Sequence, residues 1–587
     1  MYIIYVNESF YTVNKSTKLL FFDKIYKEDK RDIMNKQIRV TFRGNESMDF
    51  EEGVTFKEIS NYFKHNFTYD ILVAQVDNDI VDLSDTLKKK CNINFFDRSS
   101  SIGNNIYMNS AIFILVLAVK NILGDDVDII TEHSVDRGVY CTITNGKITQ
   151  NKLNDIYEEM KNIVKADYLY TKLSVSRLDA IKYFKKLGKT DKVNVLKYIS
   201  NTYINLYRIN DIYDYFYSKM AYSTSQINDF KLTFINDHGF ALSIPDTQNP
   251  ECTLDYVHHA KVFDKFDEYS KWGSILGINN AADLNRVVSE AKVRELVNLA
   301  EAHYDGQLAK IADTIYNDRK DIKVVLIAGP SSSGKTTTSK KLDIYLRSKG
   351  FNTHPISLDD YYIDLDKRPL DEEGKPDLES IRALDTDLFN KNLSQLLEGK
   401  KVSLPTYNFM TRKREYNNNY LQLGENDLII VEGLHALNDE LTMSVDRKQK
   451  YRIYIGPLTQ INIDNHSHIH TSDVRKLRRI VRDSKTRGYT ARDTLRNWKD
   501  VAKGERNNIY IFQDDVDVVV NSALIYEIGV LKTYVEPLLF NVNEDDPEYP
   551  EALRLINFLR NFLPIPSDDV PRDSVLREFI GDSCFKD

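Results

Sequence analysis

Cysteine is scarce in this chain, with four among 587 residues. Cys91, Cys141, Cys252 and Cys584 lie far apart and form no CxxC pair. That spacing argues against a zinc ribbon or a disulfide framework and fits reduced thiols in a cytoplasmic protein. Proline is also sparse, at 14 residues, and with 42% hydrophobic and 28% charged residues the composition is that of an ordinary globular protein with little disorder. An excess of positive charge is missing: the net charge of −8 argues against a globally basic nucleic-acid binder and leaves only local basic patches. Long hydrophobic runs are missing as well. The longest, Ala111 to Val119, is about half of what a bilayer span requires and reads as part of a buried helix. The N-terminus has no basic region leading into an apolar stretch, so no secretory signal is expected.

What the chain does have is length and one sharp motif. At 587 residues it is too long for one core, and about three or four domains are expected. The apolar run Lys323-Val-Val-Leu-Ile-Ala328 leads straight into Gly329-Pro-Ser-Ser-Ser-Gly-Lys-Thr336, and a helical stretch follows from Thr337 to Lys349. Strand, glycine-rich loop and helix in that order form a phosphate-binding loop in its proper context, which implies a nucleoside triphosphate ligand. Gly329 and Gly334 let the backbone wrap closely around phosphate oxygens, Lys335 reaches the β- and γ-phosphates, and the Thr336 hydroxyl is suited to magnesium. The ATP-binding set read here is Gly329, Pro330, Ser331, Ser332, Ser333, Gly334, Lys335, Thr336 and Thr337.

Strands and helices alternate over residues 321–540, which predicts a mostly parallel sheet covered on both faces within a multidomain α/β chain. Thr353 to Leu358 reads as the strand after the loop helix and ends in Asp359-Asp360-Tyr361-Tyr362. Two carboxylates therefore emerge at the carboxyl end of a strand, where open α/β sheets place their sites. A further strand, Asp427 to Val431, delivers Glu432-Gly433. Glu432 is the expected second anchor for magnesium beside Thr336 and Asp359, and Gly433 is read as giving phosphates close access.

The segments GPSSSGKT, SLDDYY, LPTYNF, IIVEGLHAL and RKLRRIVRDSKTRG, in this order, resemble the uridine kinase and phosphoribulokinase family, most closely its uridine kinase branch. The resemblance implies an ATP- and Mg2+-dependent transfer of the γ-phosphoryl group to a sugar hydroxyl. It implies Asp359 as general base and ligand near magnesium, Glu379 as the acid on the ribose hydroxyls with Asp377 as its competitor, and Tyr407 as the aromatic lining the acceptor pocket. Arg478, Arg479, Arg482 and Arg487 match the lid helix, with Arg479 and Arg482 joining Lys335 and Asp359 in catalysis, Arg482 and Arg487 facing ATP, and Arg479 also facing the acceptor. The chain departs from the family's PxYDFxxHxR pattern, which has Asp where Asn408 stands and His where Arg412 stands. Arg487-Gly488-Tyr489 likewise replaces an RGR. Phosphoryl-transfer residues are kept while base-reading residues change, so uridine/cytidine-like nucleosides, other nucleosides and phosphorylated sugars all remain open as acceptors.

Upstream, residues 36–97, with VTFKEIS followed by ILVAQVDNDIVDLSDTL, resemble the TGS domain of threonyl-tRNA synthetases, with strands expected at Gln37 to Phe42, near Met48 to Phe50, around Ile71 to Gln75 and at Ile93 to Phe96, and a helix from Thr55 to His65. Residues 105–240 resemble the second domain shared by threonyl- and alanyl-tRNA synthetases. Aligned on Ser110, that family's four zinc-ligand positions fall on Asn109, Phe113, Phe216 and Met220, so no zinc and no metal-assisted editing is expected. Residues 241–320 read as a helical connector with helices at Ala281 to Ala300 and Leu308 to Asn317, residues 541–587 as a C-terminal segment packing on the kinase, and residues 1–35 as unassigned beyond a strand pair suggested by YIIYV and LLFF. The synthetase-like blocks admit a different class of function, an RNA- or ribosome-binding regulatory ATPase, with RNA contact through the N-terminal half.

Overall fold

Val324–Ala328 is buried at every position, as a strand covered on both faces must be. It forms the centre of a five-stranded sheet in the order Asn352–Ser357, Asp427–Glu432, Val324–Ala328, Lys450–Gly456, Val518–Asn521. Every neighbouring pair in this sheet is parallel. The chain leaves the central strand toward one edge and later returns to its other side, so the strand order reverses beside Val324–Ala328. The carboxyl ends there open a crevice. The computed structural model describes residues 2–6, 9–13, 36–135, 137–364, 367–370, 374, 380–408, 411 and 413–585.

Residues 2–6 and 9–13 pair as an antiparallel hairpin, and LLFF lies outside the described residues. Residues 37–96 fold into a five-stranded sheet with the helix Phe56–Phe63 packed on it. Thr55 accepts from the Glu58 N–H and Glu58 accepts from the Thr55 N–H, a reciprocal cap that fixes where that helix starts. Asp79–Asp82 forms an edge strand between the expected ones. The next helix, Ser101–Leu123, is long and apolar enough to cross a membrane by length and composition, yet two thirds of its most apolar stretch (67%) is buried within the protein. Ala111 to Val119 are all buried there against sheets and helices of residues 129–244.

Two expected boundaries differ. Gly239–Ser243 pairs with Gly138–Ile143, so the connector read from residue 241 begins after this strand. The connector helices are Ala260–Ile275, Ala281–Ser289 and Val293–Asn317. The break falls at Ala291, whose φ of 57° cannot continue a right-handed helix, and the segment from Val293 then runs on without interruption.

The second block and the parallel-sheet region meet in a buried charge cluster. Lys192 lies 3.1 Å from both Asp214 and Asp464. His466 bonds Asp214 at 2.5 Å and Asp128 at 2.9 Å. Burial opposes a charge on His466, but Asp128 and Asp214 together raise its pKa to about 10, so it is an imidazolium at neutral pH. The backbone continues the contact: Thr131 N–H donates to the Asn465 carbonyl at 2.7 Å, and Asn462 donates to the Thr131 carbonyl at 2.6 Å.

Candidate active site

The loop Gly329–Thr336 sits where the central strand ends, and two of its conformations explain its residues. A Cβ on Gly329 would lie 2.1 Å from the Ile455 carbonyl oxygen on the adjacent strand. Gly334 has φ of 85° and a Cβ there would meet Val575 at 2.4 Å. Ser332, although not glycine, also has a left-handed backbone with φ of 61°. Its hydroxyl and that of Ser333 are buried without a partner among the described residues. Pro330 carries no N–H and contributes its carbonyl, which accepts from the Lys335 ammonium at 3.1 Å beside the Gly329 carbonyl at 2.9 Å. Burial depresses the Lys335 pKa, opposed by Glu432, Glu578, Asp359 and Glu505.

Three expected magnesium residues meet at the strand ends. Thr336 Oγ1 donates to Glu432 Oε1 at 3.4 Å. Burial pushes the Glu432 carboxyl up to about 7; Lys335 pulls it down and Asp359 and Glu578 push it further up. Desolvation by the surrounding protein raises the Asp359 pKa against the pull of Lys335, Arg487 and Arg368. One hydroxyl and two carboxylates form an oxygen-only donor set suited to Mg2+, which characteristically takes one or two carboxylates and leaves the rest of its shell to water and phosphate. Gly433 has a different reason from the one read in the sequence: its Cβ would meet Leu358 Cβ at 2.7 Å, so the glycine answers to packing between two strand ends.

The arginines divide by helix face. On the helix Thr471–Thr486, Arg479 Nη1 donates to Ser331 Oγ at 2.6 Å and its Nε lies 3.2 Å from Asp483. Arg482 binds Asp483 at 2.8 Å, and Arg487 lies 3.7 Å from the same carboxylate. Three guanidinium groups thus share one buried carboxylate beside the loop. Burial lowers the Arg487 pKa and the charges of Arg482 and Arg479 add to it, as expected where positive charge exceeds negative. Arg478 faces the other way. It is fully buried, paired with Glu527 at 2.6 Å, and donates to the carbonyls of Ser332 and Ser522. Its charge is already matched, so it braces the loop instead of meeting phosphate as the lid comparison implied.

The acceptor side is built around Tyr407, which is buried, with its hydroxyl accepting from Arg368 at 2.6 Å and its N–H donating to Asp360 at 3.0 Å. Arg368 also stacks over the Tyr362 ring at 4.5 Å. Asn408 closes the turn of the Thr406–Asn408 and Lys413–Glu415 hairpin by bonding Glu415 at 3.0 Å and the Thr411 N–H at 3.1 Å. Glu379, Asp377 and Arg412 lie outside the described residues.

Sequence reading missed several contributors. Arg475 donates to the Ser331 carbonyl at 2.9 Å while its ion-pair partner Glu505 accepts from the Ser331 N–H at 2.7 Å. Arg368 and Glu578 also converge on the site from outside the loop and the arginine helix, and Asp483 does so from within that helix. Arg475 and Asp483 carried a signal, since both lie in the segment RKLRRIVRDSKTRG.

Parallel sheet, phosphate loop, arginine helix and strand-end carboxylates together define a P-loop kinase. Residues 324–526 match the phosphoribulokinase / uridine kinase family. A uridine kinase of Macrococcus caseolyticus is 32% identical over 185 residues, covering 31% of this chain and 80% of that protein. The chain belongs to the phosphoribulokinase / uridine kinase family. A threonine–tRNA ligase of Acetivibrio thermocellus is 26% identical over 197 residues, or 33% of this chain, and the chain spans 31% of the length of that ligase. Among solved structures, a possible uridine kinase from Bacillus stearothermophilus aligns with 37% of this chain and 100% of its own at 19% identity and a TM-score of 0.25.

Proposed function

We propose that the protein is an ATP-dependent kinase that transfers the γ-phosphoryl group to a hydroxyl of a nucleoside, uridine- or cytidine-like. The observation that carries this reading is the meeting of Lys335, Arg479, Arg482 and Arg487 with Asp359 and Glu432 around one glycine-rich loop. Lys335 and the loop N–H groups hold the phosphates, and the three arginines offset charge on the group in transfer. Asp359 takes the proton from the acceptor hydroxyl, whose oxygen forms a bond to the γ-phosphorus as the bond from that phosphorus to the β-phosphate oxygen breaks. A carboxylate raised above its ordinary pKa is better matched to that task near neutrality. Thr336, Asp359 and Glu432 would hold Mg2+, which supplies charge neutralisation on the phosphates.

Tyr407 with Arg368 stacked over Tyr362 supports a flat acceptor, while Asn408, tied into its own hairpin, is a reason to test phosphorylated sugars beside nucleosides. The test is a panel of nucleosides and phosphosugars incubated with ATP and Mg2+, with products identified by mass. ADP formed together with one phosphorylated acceptor supports the reading. ATP turnover stimulated by tRNA, with no phosphorylated small molecule, would replace it with the regulatory ATPase.

A further inference from the structure

The C-terminal segment reaches the phosphate loop and places a carboxylate on it. Glu578 Oε2 accepts from the Thr337 N–H at 3.1 Å and from the Thr337 hydroxyl at 2.9 Å. Thr337 is the third residue of the helix Lys335–Ser348, whose N-cap is Gly334. Its N–H is therefore one of the helix donors that lack an internal partner and point at the bound anion of a phosphate loop. We propose that Glu578 is a built-in competitor for the inner phosphate of the nucleotide, holding the Thr337 donors and swinging away before ATP is bound.

The inference rests on reading Gly329 to Thr336 as the ATP site, and it follows from charge and space. Two anions cannot share one N–H and one hydroxyl without repulsion, and Glu578 already adds to the negative field felt by Lys335 and Glu432. The motion belongs to the side chain alone. Val575, Leu576, Phe579 and Ile580 are each 2% exposed or less, and Val575 presses on Gly334, so the backbone of this segment is anchored. Lys341 binds Asp573 at 3.1 Å and Arg577 donates to the Ser567 and Val570 carbonyls at 2.8 and 2.7 Å, holding the segment before Glu578, while the Cys584 N–H donates to the Arg572 carbonyl at 2.9 Å and ties down the segment after it. Glu578 itself is only half-buried, and a carboxylate on two rotatable bonds beyond Cβ has room to leave.

The experiment compares the full-length protein with Glu578→Ala, Glu578→Gln and Lys335→Ala by calorimetric titration with Mg-ATP and with magnesium pyrophosphate. Losing a charge-assisted competitor should tighten ATP binding about 10- to 100-fold in Glu578→Ala. Glu578→Gln, which keeps the shape and drops the charge, should gain in the same direction by less and serves if the alanine variant folds poorly. Pyrophosphate has no inner nucleotide phosphate to seat on Thr337 and should gain much less than ATP. ATP binding unchanged or weakened in both Glu578 variants, or an equal gain for pyrophosphate, would overturn the inference. Lys335→Ala separates the two readings: if it weakens ATP while the Glu578 variants do nothing, only the competitor is wrong, and if it binds ATP as the parent does, the loop is not the ATP site and both fall.

Discussion

Gly329→Ala should disable the protein while a glycine-to-alanine change at an open helix position should stabilise it. The added Cβ at residue 329 would stand 2.1 Å from the Ile455 carbonyl oxygen, 3.1 Å from its carbon and 2.9 Å from Ser333 Oγ. Ser333 can turn, but Ile455 is backbone in the strand Lys450–Gly456, hydrogen-bonded to the central strand on one side and to Val518–Asn521 on the other. Relief requires the loop and that strand to separate by about 1 Å, the scale of strain that costs about 1–3 kcal/mol in a packed interior. The loop carries Lys335 and Thr336, so the same shift misplaces the phosphates, and a displacement of about 1 Å at a reacting centre costs about 10² in rate. Gly306 is the control. It lies within the helix Val293–Asn317 with nothing within 4 Å of an added Cβ, so Gly306→Ala should stabilise by about 0.5–1 kcal/mol and leave turnover alone. Thermal melting and kcat for the best acceptor measure both. A Gly329→Ala protein with parental melting and kcat would show that the contact with Ile455 does not hold the loop.

Asp359→Asn should lower kcat by about 10² to 10⁴ while ATP still binds, and near-parental kcat for the best acceptor would remove Asp359 as the base. Glu432 sets a pH dependence whose sign is fixed by its raised pKa: the folded state disfavours its charged form, so its contribution to stability is full below the ordinary carboxylate pKa and is lost as pH rises to about 7. In the absence of nucleotide and metal, Glu432→Gln should therefore gain in melting temperature over the parent between pH 5 and pH 8, and a difference that is flat with pH would refute it. His466→Ala leaves the carboxylates of Asp128 and Asp214 facing each other without their shared cation, which should cost about 3–5 kcal/mol in denaturant unfolding; a loss under about 1 kcal/mol would mean that water replaces the imidazolium.

The parts of the site that could be read from sequence are those where geometry is local. An apolar run, a glycine-rich loop and a helix are contiguous, and their order alone placed Lys335 and Thr336 at a strand end. Asp359 and Glu432 were legible for the same reason, each directly following a strand. The arginine helix was legible as a basic segment but not in its division of labour, although the 3.6-residue period held the answer: Arg478 lies between Val474 and Val481 on the apolar stripe, while Arg479 and Arg482 lie off it. The break at Ala291 had no glycine or proline to announce it. Glu578 and Arg368 reach the site by chain folding over long separations, and no local pattern distinguishes them from solvated surface charge.

The N-terminal half bears on the kinase through the place where the sequence pointed to a lost function. Three of the four positions aligned with zinc ligands hold side chains that pack: Phe113 and Phe216 lie 5.4 Å apart, and Ser110 Oγ approaches Met220 Sδ at 3.7 Å. Phe216 then carries Lys192 over its ring at 5.2 Å and His466 stacked at 6.4 Å. His466 belongs to the segment that leads into the arginine helix, five residues before Thr471 where that helix begins. An apolar plug thus supports the cation that binds Asp214 and Asp464, and Asp214 in turn binds His466. A buried ion cluster keeps its energy only when every member stays paired. The second block therefore constrains the base of the helix whose far side presents Arg479 and Arg482 to the loop. Phe113, Phe216 and Met220 thus belong to a support beneath the segment that leads into the arginine helix.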